Sequence, residues 1–353
     1  MSPSLRFPEF TGEWKYFSIN DVCSEFKSGK NIKADLISSN GNFPVYGGNG
    51  LRGYTSSYNH DGLYVLIGRQ GALCGNVRSV FGKIYITEHA IAVAGNEKSD
   101  TNFLHYLFLK MNLGQYSDQS AQPGLAVNKL LKLKVLLPSI SEQIKIAKLL
   151  SLLDERIAVQ SRLIEDLKKL RCAVSNKLFQ SVKGVVIPLS GISNIVKGKQ
   201  INGDFLAEVG EYYVMNGGTE PSGYYDNYNV EANTISISEG GNSCGYVQFN
   251  RMPFWSGGHC YTIQDIVSDV ETLYLYHYLK SKEDSIMKLR IGTGLPNIQK
   301  KDLAEFKVII PAIEQQRTIS NILSLLERKT EIEGRMLIAM RTEKQYLLHQ
   351  MFI

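Results

Sequence analysis

The chain has 353 residues, of which 39 are Lys or Arg and 34 are Asp or Glu, for a formal net charge of +5. That length suits two or three domains, and the modest positive balance permits a polyanionic partner without demanding one. Five cysteines with no C-x-x-C pair argue against a disulfide framework or a zinc ribbon. The opening "MSPSLRFPEFTGEW" has no signal-peptide core, and no apolar run approaches the ~18 residues of a membrane span, so a cytoplasmic protein with no membrane contact is expected.

In chain order, the first part is built of short β-branched and aromatic runs punctuated by Gly and Asn: "FPVYGGNG", "LYVLIGRQG" and "KIYITEHAIAVAG". These read as strands and turns, and residues 101–113 read as a helix. Within them, Gly48-Asn49-Gly50-Leu51-Arg52-Gly53 fits G-x-G-x-x-G, but the turn-like "YTSSYNHDG" follows where a dinucleotide site needs a helix N-terminus. Next comes a long amphipathic stretch entered at Ser141. Ile146, Leu150, Leu153, Ile157, Gln160, Ile164, Leu167, Arg171, Val174 and Leu178 step by four and three, a heptad seam. A second β-rich part follows, with "YYVMNGG", "NTISISEGG" and "GHCYTIQDI", and with residues 271–289 helical. Entered at Glu314, a second seam closes the chain: Ile319, Leu323, Leu326, Thr330, Glu333, Leu337, Met340, Lys344, Leu347 and Met351.

The chain therefore says everything twice. Aligning Pro138 with Pro311 gives an offset of 173, which sets Leu150-Ser151-Leu152-Leu153 on Leu323-Ser324-Leu325-Leu326 and matches the polar breaks, Gln160 with Glu333 and Arg171 with Lys344. Upstream an offset of 170 pairs Gly47-Gly48 with Gly217-Gly218, Cys74-Gly75 with Cys244-Gly245, His89 with His259, and Gly124-Leu125 with Gly294-Leu295. A three-residue insertion before Pro311 reconciles the registers. The expected fold class is α+β: two similar, mainly β heads separated by a long antiparallel two-helix coiled coil, with internal pseudo-two-fold symmetry. The parts are 1–141, helix 142–182, 183–313 and helix 314–353. Neither seam can be buried by its own helix, so the two helices are expected to pack on each other.

Catalytic signatures are not apparent. There is no G-x-x-x-x-G-K-[ST], no H-E-x-x-H, and no [ND]-P-P-[YF] tetrapeptide of the kind amino-methyltransferases carry. No metal site is expected, since His259-Cys260 lacks further ligands at metal spacing. His89 and His259 also read as structural histidines bonding a neighbouring strand.

The stretch "TGLPNIQKKDLAEFKVIIPAIEQQRTISNILSLLE", its first copy "QPGLAVNKLLKLKVLLPSISEQIKIAKLLSLLDERI" and the opening "LRFPEFTGEW" resemble the DNA-specificity (S) subunits of type I restriction–modification systems. "YGGNGLRGYTSSYNHDGLYVLIGRQGALCGNV" resembles one type of target-recognition domain. The resemblance covers essentially the whole chain. It implies a non-catalytic reader of double-stranded DNA whose two target-recognition domains each take half of a bipartite, asymmetric site. The helices would be the spacer between them. It also implies two modification subunits, which bind S-adenosylmethionine and methylate adenine N6, and restriction subunits, which bind ATP and Mg. This chain would hold no cofactor itself.

On that reading the candidate DNA contacts are Tyr46, Asn49, Arg52, Tyr54, Arg69, Gln70, Arg78 and Lys83 in the first head. In the second they are Asn216, Tyr224, Glu239, Asn242, Arg290, Asn297 and Lys300. The heads differ in charge. Between 40 and 86 the first carries Arg52, Arg69, Arg78 and Lys83 against Asp61, while 210–256 carries Glu211, Glu220, Asp226, Glu231 and Glu239 against Arg251. Arg69 and its equivalent Glu239 suit guanine and the cytosine amino group respectively, or else are exposed turn residues. A reading of another class remains: a duplicated coiled-coil scaffold whose heads bind protein or carbohydrate, since Tyr-rich loops suit sugars as well as bases.

Overall fold

Two helices dominate the chain, Ile140–Ser181 with 42 residues and Ile313–Gln350 with 38. The computed structural model describes residues 3–118, 124–292, 294 and 296–353. By contacts the chain divides into two units, Met1–Ser161 with Arg335–Ile353, and Arg162–Gly334. Each unit thus holds one head and half of each long helix. Among the described residues no helix is long and apolar enough to cross a membrane.

In the first unit six strands form one sheet, in the order Cys23–Ser28, Ala90–Gly95, His60–Gly68, Val77–Ile86, Phe43–Gly47, Gly50–Thr55. Neighbours are antiparallel except for Phe43–Gly47 beside Val77–Ile86. Side chains alternate across a strand, so each run of β-branched residues supplies two faces. Val65, Ile67, Ile91 and Val93 join the main core with Phe103, Leu104, Leu107 and Phe108 of the helix Thr101–Met111. Leu66, Val80, Ile84, Ile86, Ala90 and Ala92 form a second, smaller cluster. The Asp100 side chain caps that helix by accepting from the Phe103 N–H, and left-handed Asn112 ends it.

The second unit repeats the element order with a broken sheet. Asn194–Lys197, Cys260–Gln264, Thr234–Ser238 and Val247–Asn250 make a four-stranded sheet, while Tyr224–Tyr225, Tyr212–Met215 and Trp255–Ser256 make a three-stranded one. The repeat locates the cause. The 10-residue strand Val77–Ile86 of the first head corresponds to Val247–Asn250 and Trp255–Ser256, with Arg251-Met252-Pro253-Phe254 between them. Proline has no N–H for a sheet ladder, and the strand parts at it.

One alignment expected from the sequence is corrected. Gly124 bridges Gln70, whereas Gly240 is bridged by Asn297. The Leu125 N–H bonds the Arg69 carbonyl, and the Ile298 N–H bonds the Glu239 carbonyl. The equivalent of Gly124 is therefore Asn297 and not Gly294, so the three extra residues already lie upstream of it. Leu295 of that expected pairing lies outside the described residues.

The first turn of each long helix is fastened to its own head by a fully buried glutamine. Gln143 Oε1 accepts from the Asp100 N–H at 3.0 Å, and its amide donates to the carbonyls of Lys98 (2.9 Å) and Pro138 (3.0 Å). Gln316 repeats the pattern with the Glu271 N–H at 2.8 Å and the carbonyls of Asp269 and Pro311 at 2.9 Å each. Leaving such a buried group unpaired costs about 1–3 kcal/mol, so both junctions resist hinging.

Along the seam, Ile146, Leu150, Ile164, Ile319, Leu323 and Met340 are buried. Leu153, Ile157, Leu167, Leu326, Leu337 and Leu347 are half-buried. The polar breaks are paired across the helices. In the first unit Lys344 Nζ meets Asp154 at 2.5 Å, and Asp154 also accepts from Tyr106 Oη at 2.9 Å. In the second, Arg171 meets Glu327 at 3.1 Å, and Glu327 accepts from Tyr276 Oη at 2.8 Å. Going from one pair to the other advances seventeen residues on the first helix and retreats seventeen on the second, which is antiparallel packing. In the second unit His277 lies beside the same carboxylate network, its Nε2 2.9 Å from Ser324 Oγ, and burial lowers its pKa to about 4, so it is neutral near pH 7.

Asp154→Asn and Lys344→Met, alone and combined, should show a coupling of about 1 kcal/mol in chemical denaturation, the value expected of a partly exposed pair. Additive losses would mean that the pair does not hold the register.

Candidate nucleic-acid interface

In the first head the basic residues gather at the turn between Phe43–Gly47 and Gly50–Thr55. The G-x-G-x-x-G segment is this β-hairpin, with no helix opening behind it. Gly50 has φ +100°, and a Cβ there would stand 3.0 Å from the Arg78 guanidinium carbon, so only glycine both makes the turn and lets Arg78 lie over it. A Cβ on Gly47 would stand 2.8 Å from Arg52 Cδ, and one on Gly48 would stand 2.7 Å from the His89 carbonyl oxygen and 3.6 Å from the Arg69 backbone nitrogen. Arg69 itself is placed by its N–H bond to the His89 carbonyl at 2.9 Å. Beside it, Gln70 Oε1 lies 2.9 Å from His89 Nδ1.

Arg52, Arg69 and Arg78 have no side-chain hydrogen bond or ion pair among the described residues. The Arg52 and Arg78 side chains meet at one backbone turn, with the Arg69 backbone beside it, and guanidinium groups without a counter-charge among the described residues are suited to phosphates or to guanine edges. Asn49 is exposed in the same turn, and half-buried Tyr46 precedes it. Tyr54 and Lys83 lie elsewhere. The Tyr54 backbone is bridged to Ser38, and Lys83 stands opposite Asp61 with its ammonium 5.0 Å over the Tyr58 ring.

In the second head the equivalent loops surround a cavity of about 610 Å³, lined in part by Lys197, Asn216, Glu239, Asn242, His259 and Asn297. Glu239 is only 7% exposed, which corrects the view of it as a surface turn residue. Its Oε1 accepts from Lys197 Nζ at 2.6 Å and from Tyr261 Oη at 3.0 Å. Its Oε2 is buried with no hydrogen-bond partner among the described residues, and His259 Nδ1 stands 3.7 Å away. Burial, and then the bond to Glu239, raise the Tyr261 pKa, so the phenol keeps its proton and donates.

Of the other expected contacts, Tyr224, Arg290 and Lys300 do not line this cavity. The Tyr224 backbone is bridged to Ala207, Arg290 is exposed just before the Ile291–Asn297 bridge, and Lys300 opens the helix Lys300–Ala304. Sequence reasoning missed Lys197 and gave His259 only a structural role. The available signal was the repeat, which at offset 170 sets Lys197 on Lys27. Among the described residues no three His, Cys, Asp or Glu side chains stand together as metal ligands.

Comparison with known proteins agrees with the duplication. The type I restriction modification DNA specificity domain matches residues 11–169 and again 182–339. The specificity subunit of the type I restriction enzyme EcoprrI of Escherichia coli is 42% identical over 154 residues, covering 42% of this chain and 38% of that protein. A putative type I specificity subunit of Mycoplasma pneumoniae is 31% identical over 166 residues, covering 46% of this chain and 44% of that one. The matched stretches thus span less than half the length of either relative. The crystal structure of an S subunit of a type I restriction-modification system from M. genitalium superposes with a TM-score of 0.80 at 23% identity, over 100% of this chain and 99% of that one, and so shares the fold.

Replacing Arg52, Arg69 and Arg78 together by Ala should weaken binding to duplex DNA. It should also flatten the plot of log K against log salt by roughly 0.9 for each arginine that touches a phosphate. An unchanged slope in a salt titration would put the DNA on another surface.

Proposed function

This chain belongs to the type I restriction modification DNA specificity family, and from that premise we propose that it is the sequence-reading, non-catalytic subunit of a type I restriction–modification complex. Each head takes one half of a bipartite, asymmetric DNA site. The observation that carries this reading is the inversion of charge at equivalent loops: Arg69, with no ion pair among the described residues, in one head and sheltered Glu239 in the other. One scaffold used twice with unlike loops serves to read two unlike sequences. Phosphate contacts position each head, and base-edge contacts set the sequence.

The partners in this proposal are two modification subunits and, with them, restriction subunits. Support comes from a second stripe on the long helices, distinct from the seam. Leu149, Leu152, Val159 and Leu163 of the first helix are exposed, and so are Ile322, Leu325, Ile332 and Met336 of the second. These are equivalent positions at offset 173, and within each helix their spacing keeps them near one face. An apolar stripe facing water marks an interaction surface, and one written twice fits two copies of a single partner. The modification subunits supply S-adenosylmethionine chemistry on a flipped adenine, and the restriction subunits supply ATP and Mg. The complex works on chromosomal DNA in the cytoplasm.

Because both long helices run unbroken from one unit into the other, their length is proposed to set the gap between half-sites. Inserting seven residues at equivalent points in both helices keeps the seam in phase and adds ~10 Å. Methylome sequencing of a host carrying this variant with its modification subunits should then show both half-sites retained and a gap longer by about three base pairs. A gap of unchanged length would contradict the proposal.

A further inference from the structure

The Lys197–Glu239 pair is not built like a surface salt bridge. Lys197 ends the strand Asn194–Lys197, Glu239 follows Thr234–Ser238, and Tyr261 comes from the strand between them. Lys197 and Tyr261 hold one carboxylate oxygen at 2.6 and 3.0 Å. The other is buried with no hydrogen-bond partner among the described residues, although its residue lines a cavity of about 610 Å³. An unpaired buried acceptor is costly, and one kept at a cavity wall points to a donor that arrives with a ligand. His259, whose Nδ1 lies 3.7 Å away, has a side chain 63% exposed and so has room to turn aside.

We infer that Lys197 and Glu239 together read one C·G base pair in the half-site taken by the second head. In the major groove that pair presents the cytosine amino donor beside the guanine O6 and N7 acceptors. A carboxylate acceptor with an ammonium donor at 2.6 Å is the complementary pattern. Glu239 Oε2 accepts from cytosine N4–H, and the half-exposed Lys197 ammonium donates to guanine O6 and N7. The first head has Arg69, a donor, where the second has the acceptor Glu239, so the two half-sites are expected to differ at the equivalent position. This assignment rests on the DNA-reading proposal above.

The test is methylome sequencing of a host carrying the chain with its modification subunits, as parent and as Glu239→Gln, Lys197→Met and Tyr274→Phe. Both Glu239→Gln and Lys197→Met should relax the same base pair, C·G in the parent motif, with a loss of discrimination of roughly ten- to a hundredfold. The other half-site should be unchanged. Tyr274→Phe removes a buried hydroxyl bond to the Ile309 carbonyl in the same unit, away from the cavity. It should lower the melting temperature and leave the motif intact. The assignment is overturned if the two cavity variants relax different base pairs, if the relaxed pair is A·T, if the motif does not change, or if Tyr274→Phe relaxes the same position. A parent that gives no bipartite motif overturns the DNA-reading proposal itself and this assignment with it.

Discussion

A carboxylate on one long helix grips a cation on the other, and a tyrosine from the head closes on the same carboxylate. Tyr106, Asp154 and Lys344 make this contact in the first unit, and Tyr276, Glu327 and Arg171 make it in the second. An apolar seam supplies most of the packing but is tolerant of slippage, because one leucine resembles the next. A charged pair in a mostly apolar seam is not tolerant, since a shifted register leaves each charge facing hydrocarbon. The tyrosine extends that constraint to the helix that carries the sheet, and the buried Gln143 and Gln316 close it at the first turn of each long helix. Within each unit, the loops at the end of the sheet are therefore referred to the helices through fixed contacts.

Much of this was legible because it repeats. The heptad spacing, the matched polar breaks and the β-rich heads followed from residue types and period alone, and the duplicated α+β fold is the one observed. What escaped depends on contacts between distant segments. The shelter of Glu239 comes from Lys197 and Tyr261, 42 and 22 residues away, and local pattern cannot show that a glutamate after a strand has turned inward. The broken second sheet was signalled by Pro253, but only alignment with the unbroken strand Val77–Ile86 gives that proline its meaning. The pairing of Gly124 with Gly294 failed because glycine matches glycine at any register, whereas backbone bridging to Gln70 and Gly240 does not.

The two heads show how one scaffold takes opposite electrostatic roles. In the first, glycines at 47 and 50 make room for arginines that no carboxylate among the described residues neutralises. In the second, the same strand end turns a carboxylate inward and gives it a lysine. The heads differ in these loop side chains and in the continuity of their sheets, while the junction glutamines and the carboxylate–cation contacts stay the same. Specificity can then drift in each head without disturbing the helices that partner subunits are proposed to grip.

The central claim is that this chain chooses the DNA sequence its complex modifies. Sequencing N6-methyladenine across the genome, with the gene present and deleted, tests it most directly. The account predicts one bipartite, asymmetric motif that is methylated only when the gene is present. A methylome unchanged by the deletion, or a lost motif that is continuous and undivided, would contradict it.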